Sequence, residues 1–460
     1  MPDPGVGRSR RALTLPAAVV LAVLLIPQAA GAHGIGGRSD LPVPLEYFLV
    51  GGGVVLLLSF GALAVLWPSP RLQDGPRYRG GGRAVPGWVS GTTAGVGLFG
   101  LALVVAAGLL GDPSARSNVA PVAVWVVAWL VLPFAAALVG NFWSVLSPWR
   151  TIGRLARLDG QSGPGFLGVW PAAGLFVAIT WMELVYPRSG DPGALGTAAV
   201  VYAALILGLA LRVGIDRAVA SSDAFGVYHR LLSSIGPFGR RSDGRVGRRG
   251  WLRALPVLPE WPGLAAFVVA MIGTVTYDGL SGTPWWDELS SDLVGTARHS
   301  IWFQTTALVT VVCLIGAAYL GASWWASRIA GAGGPRPLAV ARSFAHTLVP
   351  IALAYAFAHY FTLVAFEGQL LIPALSDPLG LGWNLFGTVD YQPNYAWISP
   401  VIVWYIQLAA IVGGHVTGVV LAHDRALALF AGPGAVRTQY AMLALMVALT
   451  TLGLTVLAAG

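Results

Sequence analysis

Charge is what this sequence has least of. Charged residues make up 10% of its 460 positions, where soluble domains carry roughly 25%. A chain of this length cannot clothe a water-facing surface with so few charges, so lipid must serve as much of its solvent. Lysine is absent, and all 28 basic residues are Arg. They fall between apolar runs rather than in a basic domain, which argues for membrane topology and against nucleic acid as a partner. Cysteine occurs once, at Cys313 inside an apolar run. That excludes an intramolecular disulfide, a CxxC redox pair and a cysteine-rich zinc site. There is no P-loop, no GxGxxG after a strand and no GxSxG elbow. A soluble nucleotide-binding domain is therefore not expected.

What is abundant fits the same solvent. Hydrophobic residues are 56% of the chain, with Gly 60 and Trp 18; Gly is tolerated in spanning helices and Trp gathers at membrane interfaces. Arg8, Arg10 and Arg11 precede a short apolar stretch, Leu13 to Ile26, followed by Ala30-Gly31-Ala32. This pattern predicts an export signal over 1–32, cleaved to leave His33 first, and a single integral membrane domain over 33–460.

Ten apolar stretches follow, at roughly 45–67, 88–110, 120–142, 167–186, 193–214, 262–280, 300–322, 343–366, 396–421 and 438–459. Each approaches the length that about 30 Å of hydrocarbon requires. The fold expected is all-α, a polytopic transmembrane bundle of about ten spans. Orientation follows from arginine. With the mature N-terminus outside, only Arg38, Arg116, Arg188 and Arg298 lie in outer segments; the rest of the mature chain's arginines lie in the inner loops 68–87, 143–166, 215–261, 323–342 and 422–437, or at Arg212 beside them. The outer loops carry acids instead, among them Asp287, Glu288, Asp292, Asp377 and Asp390. A cytoplasmic-membrane protein with both mature termini outside is the expectation, with the basic loop 215–261 against anionic lipid.

Ionisable side chains at membrane depth are expensive and mark function by default. They form two layers. The outer layer holds Glu183, Asp278 and His359, with Glu367 ending the span of His359 and His299 opening another. Together they offer ligands for a divalent metal or sites for a proton relay. No HExxH or HxH spacing supports the metal. The inner layer holds His346, His415, His423 and Asp424, whose plainer reading is helix packing and interface contacts. A di-haem arrangement fails: His346 and His359 stand about 20 Å apart along a helix but about 140° apart around it, and no second matching pair exists.

Four stretches carry a family resemblance: His33-Gly34-Ile35-Gly36-Gly37-Arg38-Ser39-Asp40-Leu41-Pro42, WMELVYP at 181–187, YDGLSGTPWW at 277–286 and FAHTLVPIALAYAFAHYFTLVAFEGQ at 344–369. They resemble bacterial membrane proteins known as fenitrothion hydrolases. The resemblance implies hydrolysis of an organophosphate triester, with an apolar aryl substrate drawn from the membrane. Such chemistry commonly uses a metal to polarise the phosphoryl group and generate hydroxide. If the resemblance holds, depth and chemistry assign Glu183, Asp278 and His359 as ligands or base, with Glu367 or His299 in support. Two other classes stand beside this one: a secondary transporter or permease for a metal ion or small solute, using the same groups as an ion path, and a structural subunit of a membrane complex. A hydrolase needs only the outer cluster. A transporter needs the two layers joined across the midplane.

Overall fold

The computed structural model describes residues 44–160, 167–331, 333–430 and 434–459. The expected signal segment 1–32 and His33 lie outside the described residues. Among the described residues nine helices are long and apolar enough to cross a membrane: α1 Leu45–Leu66, α2 Gly87–Leu110, α3 Val119–Val139, α5 Pro192–Val213, α7 Leu264–Ser281, α8 Ile301–Ala330, α9 Pro337–Ala365, α10 Pro400–Leu429 and α11 Ala435–Ala459. Between these, α4 Trp170–Leu184 is a shorter apolar helix, and α6 Ala224–Ser233 is an amphipathic one. The all-α polytopic bundle is what the sequence predicts, with two kinds of departure.

The fourth apolar stretch, expected over 167–186, yields a helix of 15 residues. At 1.5 Å per residue that is about 22 Å, less than the hydrocarbon thickness. Its last turn packs against α8, where Trp181 donates to Thr305, and carries Glu183 with its Oε2 atom buried. Conversely, α8 and α10 each run to 30 residues, past the expected ends at 322 and 421. Hydropathy falls where polar residues begin, but the helix does not: His423, Asp424 and Arg425 continue the last turns of α10.

The backbone of α3 is unusual. Val122–Val131 is π-helical over ten residues, flanked by Pro121 and Pro133. Such i→i+5 segments are rare and often accompany functional sites. This one carries Trp125 and Trp129.

The arginine-rich segments meet on one face. Arg253 donates to the carbonyl of Arg71 at 3.0 Å, Arg241 to that of Gly80 at 2.9 Å, and Arg425 pairs with Glu260 at 2.9 Å. At the centre is Asp424, fully buried. It accepts from the Trp67 indole at 3.0 Å, the Arg71 and Leu72 amides at 2.5 and 3.1 Å, and the Gln73 amide at 2.7 Å. His423 beside it bridges Gln439 at 2.8 Å and the Trp67 carbonyl at 3.0 Å. These contacts fasten the loop after α1 to α10 and α11. The arginine asymmetry predicts that single cysteines at Arg77 and Arg245 in a Cys313→Ser background will label only from the cytoplasm. Cysteines at Trp286 and Asp377 will label only from outside. Wrong-side labelling at any two of the four overturns this topology.

Candidate functional site

Two helices position the central pair. Asp278 is in the last turn of α7 and His359 in the second half of α9, and Gly279 lets them approach: a Cβ there would meet Val456 at 2.4 Å and the His359 ring at 3.4 Å. His359 Nε2 and Asp278 Oδ2 are 2.8 Å apart, both side chains about a quarter exposed. A carboxylate so placed orients the imidazole ring. Glu183 reaches the same place from α4. It interacts electrostatically with Asp278, and its polar neighbours are the side chains of Trp129 and Tyr360. Tyr360 in turn interacts with Asp278. Yet Glu183 Oε2 is buried without a hydrogen-bond partner. An orphaned buried carboxylate oxygen costs about 1–3 kcal/mol or more, which points to a proton, water or ligand that belongs there.

The outer layer does not gather whole. His299 closes an exposed 3-10 turn, Gly295–His299, before α8. Glu367 accepts from the Tyr395 hydroxyl at 3.1 Å in the loop beyond α9. Among the described residues no group of three or more His, Cys, Asp or Glu could hold a metal ion. The five side chains considered as divalent-metal ligands, Glu183, Asp278, His359, His299 and Glu367, thus do not fit that role as a set. The reason is directional: similar depth on different helices does not make side chains face one point.

Sequence reasoning also missed partners. Tyr360, Tyr228 and Trp129 are buried around Glu183. Tyr360 directly follows His359, so adjacency was a usable signal; nothing in the sequence ties Trp129 or Tyr228 to Glu183. Two small cavities adjoin the cluster. One of about 10 Å³ is lined by Trp129, Tyr228 and Tyr360, and one of about 30 Å³ by His359 and Tyr355. They are the size of one to a few waters.

Beyond the second cavity there is one further ring contact. Tyr355 lies 5.4 Å from His415, ring to ring. His415 is fully buried with Nε2 unpartnered, and Nε2 of buried His346 is unpartnered too. Along α9, His359 to His346 covers about 20 Å, two-thirds of the hydrocarbon thickness.

A larger cleft of about 460 Å³ lies between α2, α3, α4 and α5. Its walls are uncharged and include Trp125, Trp129, Trp143, Trp149 and Met182. Trp129 therefore separates this cleft from Glu183, and Met182 is the residue before Glu183. At its arginine-side end, Trp143 and Tyr202 donate to buried Asp223 at 2.9 and 2.8 Å. Burial raises the Asp223 pKa and lowers that of His229 to about 4.

Comparison with protein-family models, with curated proteins and with solved structures finds no match to this chain.

Proposed function

We propose that this multi-pass membrane protein is a proton-handling permease, in which Glu183, Asp278 and His359 take up and pass a proton within the helix bundle. The carrying observation is the 2.8 Å Asp278–His359 pair beside the unpartnered Glu183 oxygen. Isolated, each group is expensive at membrane depth. Sharing a proton lowers that cost, and a shared proton is one that can be exchanged. The water-sized cavities and the Tyr355–His415 contact extend the cluster deeper into the bundle, which favours a permease over an outer-face hydrolase. In proteoliposomes with an entrapped pH dye, an imposed membrane potential will drive proton flux above that of empty vesicles. Glu183→Gln, Asp278→Asn and His359→Ala will each slow it at least tenfold, on the order of 1.4 kcal/mol or more at the barrier. Wild-type flux in all three variants, or none in the wild type, sinks the reading.

A second reading, the membrane-embedded organophosphate hydrolase, is favoured by one observation. The cleft of about 460 Å³ beside Glu183 has the size and apolarity of a small-molecule site. In that reading the cleft would hold the aryl ester, and His359, which is oriented by Asp278 and lies outside the cleft's lining, would draw a proton from the water that attacks phosphorus as the aryloxide leaves. No metal step is invoked, because the side chains do not fit a metal. Release of the aryl alcohol from an aryl phosphotriester by purified protein, lost in His359→Ala, distinguishes this reading from the first.

A further inference from the structure

A three-stranded sheet stands on the arginine-rich face: β1 Arg79–Arg83, β2 Phe238–Arg240 and β3 Val246–Arg248. The order is β1-β3-β2, both pairs antiparallel. Their sequences are RGGGR, FGR and VGR. Side chains alternate between faces along a strand, and directly opposed residues share a face. Arg79 and Phe238 oppose Arg248, while Arg83 and Arg240 oppose Val246. Although the β1 register is irregular between Arg79 and Arg83, each of these pairs with a residue of the same β3 face, so that face holds Arg79, Arg83, Arg240 and Arg248 with Phe238.

The opposite face must be glycine. A Cβ on Gly239 would meet the Arg249 guanidinium at 2.6 Å, and one on Gly247 the Tyr78 ring at 2.9 Å. Arg249 is itself held by the Ser233 and Gly236 carbonyls at 2.7 and 3.1 Å. The sheet is thus backed on its glycine side and bare on its arginine side. Like charges directly opposed across strands repel, as Arg79 and Arg248 must. All four arginines are exposed, and among the described residues none has a carboxylate within ion-pair distance. A face that gathers unneutralised guanidinium groups is complementary to an anion from outside the chain.

Its position selects the anion. Arg83 precedes the first turn of α2 by only a few residues, and a Cβ on Gly140, just past α3, would meet the Phe238 carbonyl at 3.3 Å. The sheet therefore sits where two spans leave the hydrocarbon, at headgroup depth. Phe238 is 40% exposed beside the arginines, and Leu138 and Val139 at the end of α3 are 60% and 62% exposed. An apolar ring next to guanidinium groups at this level matches a headgroup above and acyl chains below. Arginine binds phosphate in bidentate fashion.

We propose that the arginine face of this sheet is a binding site for anionic phospholipid headgroups of the surrounding bilayer. The test titrates full-length protein in mild detergent with phosphatidylglycerol or phosphatidylcholine of equal chain length, counting bound lipid by native mass spectrometry. The wild type will prefer phosphatidylglycerol at least tenfold, and added salt will erode the preference. Replacing Arg79, Arg83, Arg240 and Arg248 together by Gln will reduce it at least tenfold. The milder pair Arg79→Gln and Arg248→Gln serves if the fourfold variant does not fold, and is expected to lower the preference about fivefold. Equal binding of the two lipids by the wild type, or an unchanged preference in the folded variants, overturns the proposal. So does displacement of phosphatidylglycerol by millimolar inorganic phosphate alone, which would make the ligand a soluble anion.

Discussion

Asp424→Ala will destabilise the protein by about 3–5 kcal/mol, the range for breaking a buried charged contact by removing one partner. The fully buried carboxylate accepts from the Trp67 indole, the Arg71 and Leu72 amides and the Gln73 side chain. Without it these donors lose their acceptor in a place water reaches poorly, and each unmet group costs about 1–3 kcal/mol. The loop can relax toward solvent, so the total stays below the simple sum. Asp424→Asn keeps one acceptor oxygen and the shape of the site, and should cost about half as much. Asp74→Ala, which removes an exposed pair with Arg77, is the control and should change nothing measurable. Denaturant-induced unfolding in detergent reads all three. A loss below about 1 kcal/mol in Asp424→Ala would show that the polar knot closes the loop without stabilising it.

Acid will weaken the arginine-side core through His229. Its ring stacks on Trp143 at 4.7 Å, Nδ1 meets the Phe225 carbonyl at 2.8 Å, and Nε2 is buried without a partner. Burial lowers its pKa from 6.5 to about 4. In the unfolded chain the ring binds a proton below pH 6.5, while the folded chain refuses it until about pH 4. The stability His229 contributes is therefore fully present above pH 6.5 and is lost as pH falls to about 4, by about 3 kcal/mol at 1.36 kcal/mol per unit. Asp223 acts in the opposite sense. Burial raises its pKa, so its contribution is present below the unfolded value and is lost as pH rises through the folded one. The difference between wild type and His229→Phe isolates the histidine, since Phe preserves the stack and cannot titrate. The variant's stability should fall less between pH 6.5 and 4, by about 3 kcal/mol. Parallel pH profiles would assign the acid response elsewhere.

Much of the bundle was legible in the chain. A bilayer demands about 20 apolar residues with every backbone group bonded within the segment, so span, length and hydropathy are local properties. That is why Leu45–Leu66, Gly87–Leu110 and Pro192–Val213 fall within a residue or so of their expected ranges. The arginine asymmetry was legible for a similar reason: which loops share a side follows from counting crossings. Helix ends were not, because hydropathy drops at Ala422 while hydrogen bonding continues to Leu429.

The site depended on what no local pattern carries. Glu183, Asp278 and His359 stood out by their cost at membrane depth, but so did His299 and Glu367. Rotation about each helix axis, and the close approach of α7 to α9 at Gly279, bring Asp278 to His359 across 81 positions. The same packing leaves His299 exposed and Glu367 with Tyr395. Nor did the glycines and arginines of RGGGR, FGR and VGR announce a sheet, since β1 joins the local β2–β3 pair from a segment distant in the chain, Arg79 opposing Arg248. The sequence by itself determined which segments cross the membrane and which loops share a face, because bilayer thickness and loop charge act on each segment alone. Only the tertiary structure decided which polar groups meet, because that depends on the facing of helices and strands distant in the chain.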